Sequence, residues 1–207
     1  MADIHQVTNM KGSTEQGFAY RGDGEARDHL EPGSGVKSTT HNGFRHYEEE
    51  RLIHAPADEV FGAVDVFQNL SKHMAEPNWR MLWGWMKATT DAGGGQEVGS
   101  VVSLNGGFLG IKLAVVEKVT RREPPYRKSW QSFGSISLIV IGHYTMGFEI
   151  VPQGNCSKMT AYIDYELPKS ARTRWLGRLL SDLYAKWCVR EILRVGEGGA
   201  QTHGGAH

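Results

Sequence analysis

The sequence predicts a domain of the α+β class, in which a curved antiparallel sheet of six to seven strands wraps around one long helix near the C-terminus. Two observations predict it. Residues 171–195 repeat apolar side chains at the three-and-four spacing of one helix face. Residues 80–167 alternate strand-like runs with turn-forming glycine and proline. A sheet with one apolar face and a helix with one apolar stripe can bury each other.

The ends of the chain are predicted to lie outside this domain. Residues 1–43 are rich in glycine and charge and poor in large apolar side chains, so we expect a disordered leader. Residues 196–207 have the same character and are expected to form a flexible tail, with Gly196 ending the long helix. The folded domain is therefore predicted to cover residues 44–195.

The first strand is predicted to begin at Phe44, and two short helices are expected to follow it. Pro56 suits a first helical position, and Asp58 and Glu59 then fall in the first turn, where the helix dipole favours acidic side chains. The second short helix is expected over about residues 67–74.

Six further strands follow from turn signals and from period-two alternation, which assigns side chains to the two faces of a sheet. They are predicted at residues 80–90, 99–105, 108–121, 127–133, 138–151 and 158–167. The last element is a helix of about 25 residues, roughly 37 Å long at 1.5 Å per residue. Its side chains expected to face the sheet are Leu176, Leu180, Leu183 and Trp187.

Composition excludes some classes of function. Lysine plus arginine and aspartate plus glutamate each number 23, so the formal charge is zero and we expect no nucleic-acid partner. Two cysteines without zinc or redox spacing fit a reducing, cytoplasmic location. No apolar run approaches the ~20 residues that span a bilayer. The histidines and carboxylates do not show the spacing of metal ligands, so we expect no bound metal. The sequence has no nucleotide-binding motif, so we expect no other cofactor.

Three features in this order resemble the SRPBCC superfamily. Residues 55–61 (APADEVF) resemble the opening of helix-grip domains, residues 119–130 (VTRREPPYRKSW) resemble their mid-sheet turn, and the terminal helix completes the pattern. The resemblance covers residues 44–195 and is to the bacterial polyketide cyclase/dehydrase-like branch of a superfamily that includes birch-pollen-allergen and START lipid-binding domains. It implies a helix-grip fold with a deep apolar cavity between sheet and helix. It implies no particular reaction, because no catalytic motif is common to the superfamily.

Side chains on the inner face are candidates to line such a cavity, and plain core packing is the alternative for all of them. The candidates are Met86, Leu104, Leu113, Trp130, Tyr144, Met146, Ile163, Leu183 and Trp187.

Four residues are candidates for acid/base chemistry: Glu117, His73, Tyr144 and Tyr165. Glu117 falls on the apolar side of its strand, where a buried, unpaired carboxyl would keep its proton. The alternative is a residue at the strand end, solvated or paired with an arginine. His73 lies near the end of the second short helix, where the resemblance implies a cavity mouth, and the alternative is a solvated surface histidine.

Trp83 and Trp85 fall opposite the inner set of their strand, which predicts a homodimer or peripheral membrane contact unless the register differs by one residue.

Three functions stay open. The first is binding or carrying of a hydrophobic small molecule or lipid. The second is a polyketide cyclase- or dehydratase-like enzyme. The third is a membrane or protein interaction module. The lack of an acid/base pair at close spacing favours the first.

Overall fold

The computed structural model describes residues 35–41, 43–67, 69–70, 85–108, 111–168 and 171–203, and these form an α+β helix-grip architecture. Its elements are β1 (Val36–His41), β2 (Phe44–Ile53), α1 (Ala57–Asp65), β3 (Trp85–Thr90), β4 (Val101–Phe108), β5 (Ile111–Glu123), β6 (Arg127–Ser137), β7 (Tyr144–Gln153), β8 (Cys156–Glu166) and α2 (Ala171–His203). The eight described strands make one antiparallel sheet in the order β1-β2-β8-β7-β6-β5-β4-β3. The long helix α2 packs against α1, β2 and β8.

The alternation of buried and more exposed side chains along the strands agrees with the predicted faces of the sheet. Every second residue of β8 is buried, including Met159 and Ile163, and on β7 the buried set includes Phe148 and Ile150. The ring of Phe148 meets that of Phe61 from α1 edge-on, with 5.7 Å between the ring centres. The predicted α+β class and the curved sheet are confirmed.

Strand β1 was not predicted. It lies inside the expected leader and pairs with β2, with Val36 opposite Glu49 and His41 opposite Phe44. Its described side chains are exposed, so it lacks the apolar alternation by which the other strands were recognised. Gly43 makes the turn between the two strands with φ of 83°. Residues 1–34 lie outside the described residues.

Helix α2 differs from its prediction at its end. It continues through Gly196 to His203, so the expected end at Val195 is wrong and the helix occupies much of the expected tail. A Cβ on Gly196 would lie 2.8 Å from the sulfur of Met159 and 3.2 Å from Cδ1 of Ile53. Gly196 therefore lets the helix approach β2 and β8 closely, and it does not end the helix.

The face that α2 turns to the sheet also differs from its prediction. Ser181, Ala185, Val189 and Leu193 are fully buried, whereas Leu183 is 67% exposed. Small side chains let the helix lie close to the sheet, with Val189 and Leu193 packed among them, and Leu183 falls on the flank of the helix. Leu180 is half-buried, and the side chain of Leu176 is outside the described residues.

The second short helix is described only at its start. Phe67, Asn69 and Leu70 have helical backbone, and residues 71–84 lie outside the described residues. Within the described part of the chain, no helix combines the length and apolarity needed to cross a membrane. The cytoplasmic location stays a prediction.

Candidate functional site

A cavity lies between the inner face of the sheet and α2. Its volume is about 70 Å³. One water needs ~10–15 Å³, and an engineered cavity that binds benzene has about 150 Å³. Its described walls are Phe67, Leu70, Leu104, Val115, Glu117, Trp130, Leu138, Ile141, Tyr144, Met146, Tyr184, Trp187, Cys188, Glu191 and Ile192. The cavity thus has room for a few waters or for one end of a ligand. The rest of such a ligand would extend past the half-buried wall residues, which include Leu70, Leu138 and Trp187.

Strand pairing brings the wall residues together. Leu104 on β4 lies opposite Val115 on β5, and Trp130 on β6 lies opposite Met146 on β7. The register of β5 against β6 shifts between Ala114 and Val116 and again between Val119 and Arg121, on either side of Glu117. Such bulges bend a strand and change the direction of its side chains, and they are frequent next to functional sites.

Glu117 and Tyr144 form the polar centre of this apolar cavity. The side-chain hydroxyl of Tyr144 donates a hydrogen bond of 2.5 Å to Oε1 of Glu117. Ser132 lies opposite Glu117 on β6, and its Oγ accepts from the backbone N–H of Tyr144 at 2.9 Å, which fixes the start of β7 beside the carboxyl. The second oxygen, Oε2, is buried without a hydrogen-bond partner.

The protonation of Glu117 follows from this environment. The residue is only 4% exposed, and its burial raises the pKa of the carboxyl to about 7, although the Tyr144 hydroxyl and the nearby Trp130 indole N–H act to lower it. Burial also raises the pKa of the Tyr144 hydroxyl well above its usual range. At neutral pH, Glu117 therefore exists both as acid and as carboxylate, while Tyr144 keeps its proton.

The nearest buried cation is already paired. Lys128 shares a smaller adjoining cavity with Glu117, but its Nζ donates to the backbone oxygen and to Oδ1 of Asp65, both at 2.8 Å. Arg122 binds the same carboxylate through Nη2 at 2.8 Å. These two cations are thus held by Asp65, and Glu117 has no described counter-charge.

The structure brings several predicted site residues together. Of the predicted cavity residues, the wall contains Leu104, Trp130, Tyr144, Met146 and Trp187. The acid/base candidates Glu117 and Tyr144 are in direct contact there. Glu117 is buried and not solvated, and no arginine pairs with it among the described residues.

Other predicted residues lie elsewhere. Ile163 is fully buried in the core outside the wall, Leu113 packs half-buried against the core, and the prediction that Leu183 lines the cavity is wrong because its side chain points to solvent. Tyr165 is away from the wall and donates to Oδ1 of Asp182 at 2.6 Å. His73, Trp83 and the side chains of Trp85 and Met86 lie outside the described residues, so the contact predicted through the two tryptophans stays a prediction.

Apart from Trp187, the residues that α2 contributes to the wall were not predicted from the sequence. Tyr184, Cys188, Glu191 and Ile192 line the cavity at the spacing of one helix face, a signal that was hidden by the more numerous leucines. Burial raises the pKa of the Cys188 thiol to about 12, so this cysteine is a packed thiol and not a nucleophile. Among the described residues, no group of three or more histidine, cysteine or acidic side chains is placed to hold a metal ion.

Comparisons with known proteins support the fold. No protein-family model and no curated protein sequence matches the chain. Norcoclaurine synthase from Thalictrum flavum, solved with a transition-state analogue, matches with a TM-score of 0.56 and 14% identity over 82% of this chain and 99% of that chain.

Two further structures match at similar levels. The Zhui aromatase/cyclase from a Streptomyces species has a TM-score of 0.57 and 14% identity, covering 76% of this chain and 94% of that chain. Ara h 8.0201 has a TM-score of 0.53 and 15% identity, covering 77% of this chain and 99% of that chain. At these identities the likeness shows the fold alone, and it agrees with the predicted helix-grip architecture.

Proposed function

We propose that this helix-grip chain binds one hydrophobic small molecule in the cavity between the sheet and α2 and carries it without covalent chemistry. The observation behind this proposal is a cavity whose described wall is mostly apolar and includes the buried, hydrogen-bonded groups of Glu117 and Tyr144. Ligand sites in proteins commonly combine an apolar lining with a few polar groups that fix orientation. The volume of about 70 Å³ favours a compact molecule over a lipid with long chains.

A ligand that co-purifies with the protein tests the proposal directly. Organic extraction of the purified full-length chain, followed by mass spectrometry, is expected to yield one apolar compound near equal stoichiometry. Binding of a neutral fluorescent apolar probe gives a second readout that does not depend on retention of the natural ligand.

Two substitutions on the same helix provide a matched comparison. Cys188→Phe places a large side chain in the cavity wall, whereas Leu179→Phe adds a similar ring at a position that is 72% exposed. We expect the first to weaken probe binding at least tenfold and the second to leave it unchanged, with both variants folded by circular dichroism. Equal probe binding by both variants would place the ligand outside this cavity.

A second candidate function is catalysis of the cyclase or dehydratase type, and the contact between Glu117 and Tyr144 favours it. A carboxyl with a pKa of about 7 can both give and accept a proton at neutral pH. The Zhui structure is that of an aromatase/cyclase, which keeps this class open for the present chain.

Incubating the extracted compound with the wild-type chain and with Glu117→Gln separates the two functions. A new product or a loss of water with the wild type alone would indicate catalysis, and unchanged compound in both would indicate carrying.

A further inference from the structure

We propose that the ligand is a neutral, mostly apolar molecule with one acceptor oxygen, such as a ketone, and that protonated Glu117 holds it by donating a hydrogen bond to that oxygen. The inference deepens the proposed function and rests on it, since it names the class of molecule that the cavity would take. Within the described part of the chain, Oε2 of Glu117 is buried in the cavity wall without a hydrogen-bond partner.

The hydrogen-bond arrangement decides where the proton of the acid resides. The hydroxyl proton of Tyr144 is already donated to Oε1 of Glu117. When Glu117 is protonated, Oε1 is therefore the carbonyl oxygen and Oε2 carries the hydrogen. A buried donor without an acceptor is unfavourable, and an acceptor atom on a ligand in the cavity removes that penalty.

The charges around the cavity favour a neutral ligand over a cation. An ammonium group would have to leave water and meet a carboxylate that is itself desolvated, and each such ion costs several kcal/mol. The adjacent walls are apolar, with Leu104, Val115 and Met146 among them. A ketone oxygen accepts the hydrogen bond without adding a charge to this environment.

The tyrosine hydroxyls and the cysteine thiol in the cavity wall keep their protons near neutral pH. Burial raises the pKa of the Tyr144 and Tyr184 hydroxyls well above the usual range and that of the Cys188 thiol to about 12. Lys128 stays bound to Asp65, and Glu191 accepts hydrogen bonds from Arg194, the shorter at 2.7 Å. The pH dependence of binding should thus be that of Glu117.

Three probes of equal heavy-atom count test the inference with the full-length protein. Acetophenone offers a ketone oxygen, α-methylstyrene replaces that oxygen by a methylene group, and 1-phenylethylamine offers an ammonium group. Affinities are measured by ligand-observed NMR at about pH 5.5 and about pH 8.5. With the pKa of Glu117 at about 7, acetophenone is expected to bind about 30-fold more tightly at the lower pH. At the lower pH we expect α-methylstyrene to bind more weakly than acetophenone. Its affinity should not change between the two pH values.

A conservative variant separates the anchor from a general effect of pH. In Glu117→Gln, the amide oxygen can accept from Tyr144 while the amide N–H donates to the ketone, so acetophenone should bind equally well at both pH values. The control Glu149→Gln, at an exposed carboxyl on β7 outside the wall, should keep the wild-type pH dependence. If Glu117→Gln does not fold, the wild-type pH profiles of the three probes still decide.

The outcomes distinguish this inference from the proposed function. If α-methylstyrene binds as tightly as acetophenone at the lower pH, the cavity binds apolar molecules and the acceptor oxygen is irrelevant, which overturns the inference alone. Tighter binding of 1-phenylethylamine at the higher pH overturns it in favour of a cationic ligand. If none of the three probes binds at either pH, the proposed function fails and the inference with it.

Discussion

At the scale of single residues, the chain buries two carboxyl groups in opposite ways. Asp65 is surrounded by Lys128 and Arg122 and stays charged because two cations bind it. Glu117 accepts a hydrogen bond from the neutral hydroxyl of Tyr144 and lies near the neutral Trp130 indole N–H, and no described cation pairs with it. Burial without a counter-charge raises the free energy of the carboxylate relative to the acid. The first group is a structural ion pair, and the second is a carboxyl whose pKa is raised to about 7.

Glu117 should make the folded state less stable as pH rises. The pKa of this carboxyl is raised in the folded state, so the folded chain binds more protons than the unfolded chain between about pH 4.5 and about pH 7, and stability falls across that window. Glu117→Gln cannot titrate. We expect its unfolding free energy, relative to wild type, to increase by on the order of 3 kcal/mol between pH 5 and pH 8, measured by urea denaturation. A difference that stays constant over this range would contradict the raised pKa.

At the scale of elements, the buried face of α2 combines small residues with a few larger apolar ones. Ser181, Ala185 and Leu193 are fully buried, and Gly196 lies against Met159. Leu179 and Leu183 are exposed on the flank of the helix. The cavity lies beside Tyr184 and Cys188, which alternate along α2 with these buried residues.

Two glycines of α2 test this close approach. Gly198 has nothing within 4 Å of the position of a Cβ, whereas a Cβ on Gly196 meets Met159 and Ile53. We expect Gly198→Ala to stabilise the protein by up to about 1 kcal/mol, because alanine has the higher helix propensity. We expect Gly196→Ala to be less stable than Gly198→Ala by about 1–3 kcal/mol because it overpacks the contact. Equal urea midpoints for the two variants would show that helix and sheet are not in close contact at this position.

At the scale of the whole molecule, β1 changes where the folded domain begins. The strand protects the edge of β2 and adds an ion pair of 3.2 Å between Lys37 and Glu48. We propose that the domain starts at about Gly35 and not at residue 44. An unpaired edge of β2 would be a site for association with other chains.

Two truncated chains test this boundary. A chain that starts at Gly35 is expected to unfold at the same urea concentration as the full chain. A chain that starts at Gly43 lacks β1, and we expect it to lose on the order of 1–3 kcal/mol of stability and to associate, as seen by light scattering. If both truncations match the full chain, β1 does not contribute to the stability of the domain.

The sequence predicted most of the sheet because burial and alternation coincide there. Met159, Ile163 and Phe148 occupy every second position and face the core, and the same alternation placed Glu117 on the inner face. The orientation of α2 could not be predicted in this way. Its apolar residues cover more than one face, and the small residues that fix its contact carry little hydrophobic signal. The cavity depends on the distance between helix and sheet, which periodicity does not encode.

The pairing of β2 with β8 has a consequence for how the chain acquires its structure. Phe44 lies opposite Glu166, so a strand made early in synthesis finds its partner only when the last strand has been made. The contact between these strands closes a long loop, which makes such topologies slow to fold compared with helical bundles. The sheet therefore cannot be completed while the ribosome still holds β8. Until that release, one edge of β2 is available to chaperones and to neighbouring nascent chains.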